Sequence, residues 1–172
     1  MLSPNIPEVG TPAPQFSLPA SNGKTISLDE FKGKKTVVLY FYPKADTPGC
    51  TKEACGFRDR LAEYDARHIA VLGISPDPVE DVRKFAEKFA LTFPLLADAD
   101  HAVSEKYGVW QEKSMFGKKY MGVARTTFVI AKDLTIRHVF ANVTPEGHDQ
   151  EVLQWLLQSG IDPQMDRRVD AR

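Results

Sequence analysis

The sequence predicts an α/β fold with a central mixed β-sheet flanked by helices. Continuously apolar segments rich in β-branched and aromatic residues alternate with amphipathic segments of helical period, which is typical of parallel strands covered by helices. The last two apolar segments are joined by Lys132-Asp133, so they are expected to pair antiparallel. With 172 residues, the chain has the length of one ordinary domain with a single core.

The N-terminal part of the chain predicts a hairpin, a buried strand and a helix. Asn22-Gly23 favours a hairpin turn between the short strands 15–18 and 24–28. Residues 36–42 are continuously apolar and indicate a strand buried on both faces. A helix is expected from about Cys50 to His68, because apolar residues recur there at helical spacing: Cys50, Ala54, Phe57, Leu61 and Tyr64.

The rest of the chain continues the alternation. Amphipathic spacing of Val82, Phe85 and Phe89 predicts a second helix after another buried strand. The remaining predicted elements are strands at 69–74, 94–96, 126–131 and 134–140, a helical segment at 100–107, and a last helix near 149–158 that ends at Gly160. This order suits a thioredoxin-like fold with an N-terminal β-hairpin extension, formed by residues 1–160 as one domain. Residues 161–172 are expected to form a polar C-terminal tail.

The overall charge gives no reason to expect nucleic acid or a membrane as partner. The net charge is −1 and the chain has no dense block of Lys and Arg. The first residues lack the layout of a secretory signal, and no apolar stretch reaches membrane-spanning length, so we expect a cytoplasmic protein. Near-neutral charge and no obvious exposed apolar stripe favour a monomer.

Both cysteines lie in one short run, Cys50 and Cys55, where a strand ends and a helix begins. A thiol at a helix N-terminus is close to the positive end of the helix dipole, which favours the reactive thiolate. In a reducing cytosol, such a pair is expected to be catalytic, sensing or metal-binding rather than a permanent disulfide. A buried structural thiol is the plainer interpretation of Cys50, and simple packing that of Cys55.

The run around Cys50 has the pattern P-x-x-x-T-x-x-C, which suits chemistry on a peroxide. Pro43 ends the strand and shapes one wall of a pocket, and the Thr47 hydroxyl can donate to and accept from a peroxide oxygen. Pro48 and Gly49 let backbone N–H groups come close to a ligand at the helix start. Those donors would stabilise negative charge on a departing oxygen.

This run, from Phe41 to Cys55, resembles the corresponding segment of the peroxiredoxins, most of all their peroxiredoxin Q subfamily. Further segments carry the resemblance over most of the chain: Ile74-Ser75-Pro76-Asp77, Phe93-Pro94-Leu95-Leu96-Ala97-Asp98, Tyr107-Gly108-Val109-Trp110, Gly117-Lys118-Lys119-Tyr120-Met121-Gly122 and Arg125-Thr126-Thr127-Phe128. One departure is Leu134, where relatives often carry Gly, which leaves the type of that turn open.

The resemblance implies thiol-dependent reduction of hydrogen peroxide and organic hydroperoxides, without a cofactor. Carried over by motif, Cys50 is the peroxidatic cysteine and Cys55 the resolving cysteine. Thr47 is the hydroxyl that binds peroxide, and Arg125 is the guanidinium that favours the thiolate and holds the substrate. Glu53 resembles the acid that orients this arginine. Thioredoxin or a glutaredoxin is the implied reductant.

The spacing of the two cysteines has a consequence of its own. Helical residues five apart have Cα atoms roughly 8.7 Å apart, whereas a disulfide requires less than about 7 Å. If Cys55 attacks an oxidised Cys50, the first turns of the helix must therefore unwind. Gly56 weakens an interior helical position by about 1 kcal/mol relative to Ala, so we expect Gly56→Ala to slow disulfide formation.

Several alternatives remain open at this stage. Arg125 is also explicable as an ordinary charge before a strand, and Glu53 as an acid favoured by the helix dipole. The segment Trp110–Met121 suits either packing or an apolar rim around a substrate. The four histidines show no ligand spacing, so we expect surface positions and no metal site for His68, His101, His138 and His148. A non-catalytic peroxide sensor and a general disulfide oxidoreductase are the competing functions.

Overall fold

The central feature of the chain is a five-stranded sheet, seen here in a computed structural model that describes residues 5–161. Residues 1–4 and 162–172, which include nearly all of the predicted tail, lie outside the described part. The elements are β1 (Ser17–Pro19), β2 (Thr25–Ser27), a 3₁₀ turn (Leu28–Phe31), β3 (Thr36–Phe41), α1 (Pro48–Ala66), β4 (Ile69–Ser75), α2 (Val79–Lys88), β5 (Leu95–Ala97), α3 (Ala102–Lys106), β6 (Trp110–Met115), β7 (Lys118–Val123), β8 (Thr126–Ile130), β9 (Ile136–Ala141) and α4 (His148–Ser159).

The sheet is mixed, in the order β5-β4-β3-β8-β9. Strands β3, β4 and β5 run parallel because α1 and α2 connect them, whereas β8 and β9 pair antiparallel. Every residue of β3 is buried, as its continuous apolar sequence predicts. The predicted thioredoxin-like arrangement, with its N-terminal hairpin of β1 and β2, is confirmed.

Helices cover both faces of this sheet. Alternate side chains of β3 point to opposite faces, so Val38 and Tyr40 pack with α1, α2 and α4. Val37 and Leu39 pack with the N-terminal hairpin and α3 on the other face. Ile161, which follows α4, is also buried in the first of these clusters, so the core extends to the last described residue.

The order of strands brings two distant parts of the sequence together. Because β8 is antiparallel to β3, its first residue, Thr126, lies opposite Phe41, the last residue of β3. The loop after β3 leads into the N-terminus of α1, and Arg125 immediately precedes β8. The start of α1 and Arg125 are therefore neighbours at the end of the sheet where β3 ends and β8 begins.

The segment left open by the sequence forms a second hairpin, β6 with β7. At its turn, Phe116 and Gly117 both have positive φ, of 52° and 78°. Phe116 is 98% exposed, and Met115, Tyr120 and Met121 are also exposed. The expectation of no exposed apolar stripe is therefore wrong for this hairpin. Packing alone does not account for these side chains.

The prediction that all four histidines lie at the surface is wrong for His148, which is 1% exposed. Its Nε2 is 2.7 Å from Thr127 Oγ1, and its Nδ1 is 2.8 Å from Glu151 Oε1. Burial lowers the pKa of His148, and the nearby Glu151 carboxylate opposes this effect in part. His101 is half-buried, and its ring stacks on Trp110 at 4.0 Å.

In the turn between β8 and β9, Leu134 adopts a backbone conformation that favours glycine. The φ of Leu134 is 68°, in the left-handed region, and its side chain is 6% exposed. Its N–H donates to the Ala131 carbonyl at 2.8 Å, and its own carbonyl accepts from Ala13 N–H at 2.9 Å. Burial of an apolar side chain thus offsets an unfavourable backbone conformation.

Candidate active site

The loop between β3 and α1 is held in place by two carboxylates. The Asp77 Oδ2 atom accepts a hydrogen bond of 2.8 Å from Ala45 N–H, and Asp77 itself is buried. Asp46, which follows Ala45, has a positive φ of 61° and forms an ion pair with Lys88 of α2 at 2.9 Å. These contacts fix the chain direction just before the helix that carries both cysteines.

Helix α1 begins at the predicted motif. Thr47 occupies the N-cap position and Pro48 the first turn, where its missing N–H removes no helical hydrogen bond. The Thr47 hydroxyl donates to the Lys44 carbonyl at 2.9 Å, so its oxygen lone pairs stay available as acceptors. Cys50 is the third residue of α1, close to the positive end of the helix dipole.

Arg125 connects Cys50 to Glu53. Its Nη2 group donates to the Cys50 Sγ atom at 3.1 Å, and its Nη1 group donates to Glu53 Oε1 at 3.0 Å. A Cβ atom on Gly49 would lie 2.9 Å from Nη2, so a residue without a side chain leaves room for this approach. The guanidinium is thus oriented by one carboxylate and directed at the sulfur.

Glu53 is a buried acid with an unusual environment. It is 1% exposed, and burial raises its pKa to about 7 although the ion pair with Arg125 opposes the shift. Within residues 5–161, its Oε2 atom has no hydrogen-bond partner. Glu53 is therefore placed to change its charge near neutral pH beside the residue that contacts Cys50.

The Cys50 side chain is almost fully buried. Cys50 is 1% exposed, while Pro43, Thr47 and Gly49, which precede it along the chain, are half-buried. A reactant must therefore present a small, slim group to the sulfur. The structure brings together five of the seven candidate residues, which are Thr47, Gly49, Cys50, Glu53 and Arg125, and it places Pro43 in the loop before α1 without showing a contact to them.

The seventh candidate, Cys55, lies apart from this cluster. It is half-buried, and both thiols are free on the same unbroken helix. Helical spacing keeps their Cα atoms roughly 8.7 Å apart. The two cysteines therefore cannot bond until the helix opens.

The proposed role of Gly56 needs correction. A Cβ atom on Gly56 would lie 2.5 Å from Asp149 Oδ1, because the start of α4 packs directly on this glycine. Gly56→Ala therefore introduces a clash between α1 and α4 in addition to its effect on helix propensity. A slower disulfide in that variant would not report on helix propensity alone.

Lys113 is a site neighbour that sequence reasoning missed. It lies half-buried on β6, with its stem across Gly122: a Cβ atom there would be 3.3 Å from Lys113 Cδ. Burial and, secondarily, the charge of Arg125 lower the pKa of Lys113, while Cys50 opposes this shift. No local signal marks Lys113, since its position depends on the pairing of β6 with β7.

Neither a metal site nor a membrane-spanning helix is found in the described part of the chain. Between residues 5 and 161, no cluster of three or more His, Cys, Asp or Glu side chains is arranged to hold a metal ion. Over the same range, no helix has the length and apolar character needed to cross a membrane.

Comparisons with known proteins give a consistent result. The family model for the AhpC/TSA family matches residues 9–139. A putative peroxiredoxin Bcp of Coxiella burnetii is 52% identical over 146 residues, covering 85% of this chain and 96% of the relative. Peroxiredoxin Bcp of Escherichia coli is 48% identical over 151 residues, covering 88% of this chain and 96% of that protein.

A solved structure supports the same grouping. The bacterioferritin comigratory protein of Xanthomonas campestris, described as having alkyl peroxide reduction activity, superposes with a TM-score of 0.79. It is 33% identical, and the match covers 84% of this chain and 91% of that one.

Proposed function

The chain belongs to the AhpC/TSA family and is a peroxiredoxin, a thiol peroxidase, and we propose that Cys50 is the residue that attacks its peroxide substrates. The observation that carries this proposal is the 3.1 Å contact from Arg125 Nη2 to Cys50 Sγ. A cation that donates to the sulfur stabilises the thiolate, which is the nucleophilic form. Glu53 orients the same guanidinium, so its positive charge is held beside the sulfur, where the peroxide must bind.

The first step is a displacement at oxygen. The Cys50 thiolate forms an S–O bond with one peroxide oxygen while the O–O bond breaks, and the electron pair leaves with the other oxygen. That oxygen takes up a proton and departs as water from hydrogen peroxide, or as an alcohol from an organic hydroperoxide. Arg125 and the backbone N–H groups around Gly49 stabilise its developing charge, while the Thr47 oxygen, whose hydrogen is donated to the Lys44 carbonyl, accepts the hydrogen of the peroxide. Pro43 closes one side of the pocket.

Organic hydroperoxides are proposed as substrates beside hydrogen peroxide. The X. campestris relative is described as reducing alkyl peroxides. Because Cys50 is almost fully buried, only the slim O–O group needs to reach the sulfur, and an alkyl tail can remain outside.

Cys55 completes the cycle. Its thiol attacks the Cys50 sulfenic acid, an S–S bond forms, and water leaves. A dithiol reductant then restores both thiols and becomes a disulfide itself; thioredoxin or a glutaredoxin is the proposed partner. The proposed location is the cytoplasm, where thiols are kept reduced. The proposed unit is a monomer, since one chain supplies every residue of the site.

A coupled assay tests these assignments. Peroxide-dependent NADPH oxidation is measured with thioredoxin and its reductase for the wild type, Cys50→Ser and Cys55→Ser. Sustained turnover by the wild type, none by Cys50→Ser and one stoichiometric oxidation by Cys55→Ser are expected. One stoichiometric oxidation by the wild type would instead support a peroxide sensor. Non-reducing mass spectrometry of each protein identifies the bond formed and the number of chains.

A further inference from the structure

Helix α1 consists of two parts that are held by different neighbours. The first part, Pro48–Cys55, is held by Arg125, which contacts Cys50 and Glu53, and by core packing of Cys50 and Ala54. From Gly56 onward, the helix is fastened to the start of α4. The boundary between the two parts falls immediately after the second cysteine.

Asp149, the second residue of α4, contacts the later part at several positions. Its Oδ2 atom accepts from Arg60 Nε at 2.6 Å, and its backbone carbonyl accepts from Tyr64 Oη at 2.7 Å. Its Oδ1 atom lies where a side chain on Gly56 would be. The Phe57 ring also contacts His148 edge-on, with centroids 5.9 Å apart.

These contacts determine where unwinding stops, if the proposed Cys50–Cys55 disulfide forms. The two cysteines cannot bond while both keep helical geometry, so the start of α1 must open. The segment from Gly56 keeps its contacts with Asp149 and with His148. In a helix that begins at Gly56, the first backbone hydrogen bond runs from Arg60 N–H to the Gly56 carbonyl.

We propose that oxidation shortens α1 to a helix starting at Gly56, and that the Asp149 carboxylate caps the new N-terminus. A helix end presents unpaired N–H groups and the positive end of the dipole, both of which favour an adjacent carboxylate. In the reduced protein Asp149 already lies beside the position where this end forms. Asp149 is thus a positioning residue for the resolving step, with no contact to peroxide.

The equilibrium of the disulfide with dithiothreitol tests the cap directly. In this exchange the two cysteine thiols lose two hydrogen atoms and oxidised dithiothreitol gains them. Asp149→Ala is expected to disfavour the protein disulfide by roughly fivefold, the effect of one lost helix cap. Asp149→Asn, whose side chain can still accept from N–H groups, is expected to lose less.

The control is Glu63→Gln, because Glu63 is the other carboxylate bound to Arg60, at 3.3 Å. It leaves Asp149 in place, so its equilibrium should match the wild type. A purely structural role of Asp149 would destabilise the reduced and oxidised forms alike. An equilibrium constant for Asp149→Ala within twofold of the wild type would therefore overturn the proposal.

Hydrogen exchange locates the boundary. In the oxidised wild type, amides 52–55 should lose protection relative to the reduced form, while amides 60–66 keep it. Loss of protection throughout 60–66, with the disulfide verified by mass, would overturn the capped boundary but leave the proposed function standing. Failure of the peroxide-treated protein to lose two hydrogen atoms would contradict the proposed resolving step itself.

Discussion

Glu53→Gln offers a quantitative test of the buried ion pair. Burial raises the pKa of Glu53 from its ordinary 4.5 to about 7 in the folded protein. The folded state therefore binds this proton more tightly than the unfolded state does. The associated stability is fully present below about pH 4.5 and is lost as the pH rises through about 7. The amide introduced by Glu53→Gln cannot ionise, so the variant lacks this dependence.

The size of the effect follows from the shift. At about 1.4 kcal/mol per pKa unit, the change from 4.5 to about 7 corresponds to about 3 kcal/mol. Roughly three quarters of it, about 2 kcal/mol, is lost between about pH 5 and about pH 8, since part of the loss already occurs between about pH 4.5 and about pH 5. Relative to Glu53→Gln, the wild type should lose this amount of unfolding free energy over that range.

The assay is urea unfolding of both proteins at several pH values, followed by circular dichroism. Taking the difference between wild type and variant removes the contributions of all other titrating groups. If the two stability curves run parallel between about pH 5 and about pH 8, Glu53 does not titrate in the fold and the burial argument is refuted.

Three further substitutions test other parts of the account. Thr47→Val should slow the reaction with hydrogen peroxide roughly tenfold to a hundredfold, since it removes the oxygen proposed to accept from the peroxide, whereas Thr47→Ser should retain most of the rate in the same stopped-flow assay. Lys113→Met should slow that reaction roughly twofold to fivefold by removing a half-buried positive charge near Cys50, while the exposed Lys119→Met should not; equal rates for both would remove Lys113 from the site. Leu134→Gly should lower the unfolding free energy by roughly 1–3 kcal/mol in urea titration, because the buried side chain contributes more than the relief of its positive φ; a more stable variant would reverse this balance.

The features that the sequence predicted are those determined locally. Strand β3 is continuously apolar, and the residues from Pro43 to Cys50 form a contiguous motif at a strand–helix junction. The candidate cluster also follows from the motif, except that the approach of Arg125 depends on the antiparallel pairing of β8 with β3.

The features that were missed depend on long-range contacts. Strands β6 and β7 have few buried side chains, so they carry no apolar period, and their pairing rests mainly on backbone hydrogen bonds. His148 is buried between residues distant in sequence: its ring hydrogen-bonds to Thr127, 21 positions earlier, and packs against Phe57 and Phe140. The contact of Asp149 with Gly56 joins two helices far apart in sequence. Helix propensity alone therefore does not predict the clash that Gly56→Ala introduces between them.

The most direct test of the central claim is the rate of hydrogen peroxide consumption in a single turnover, without any recycling system. The reduced wild type should consume one equivalent far faster than free cysteine does, and Cys55→Ser should match it because only the later step is lost. Cys50→Ser should consume none above the background. A Cys50→Ser protein that still consumed its equivalent at the wild-type rate would contradict the assignment of Cys50 as the attacking thiol.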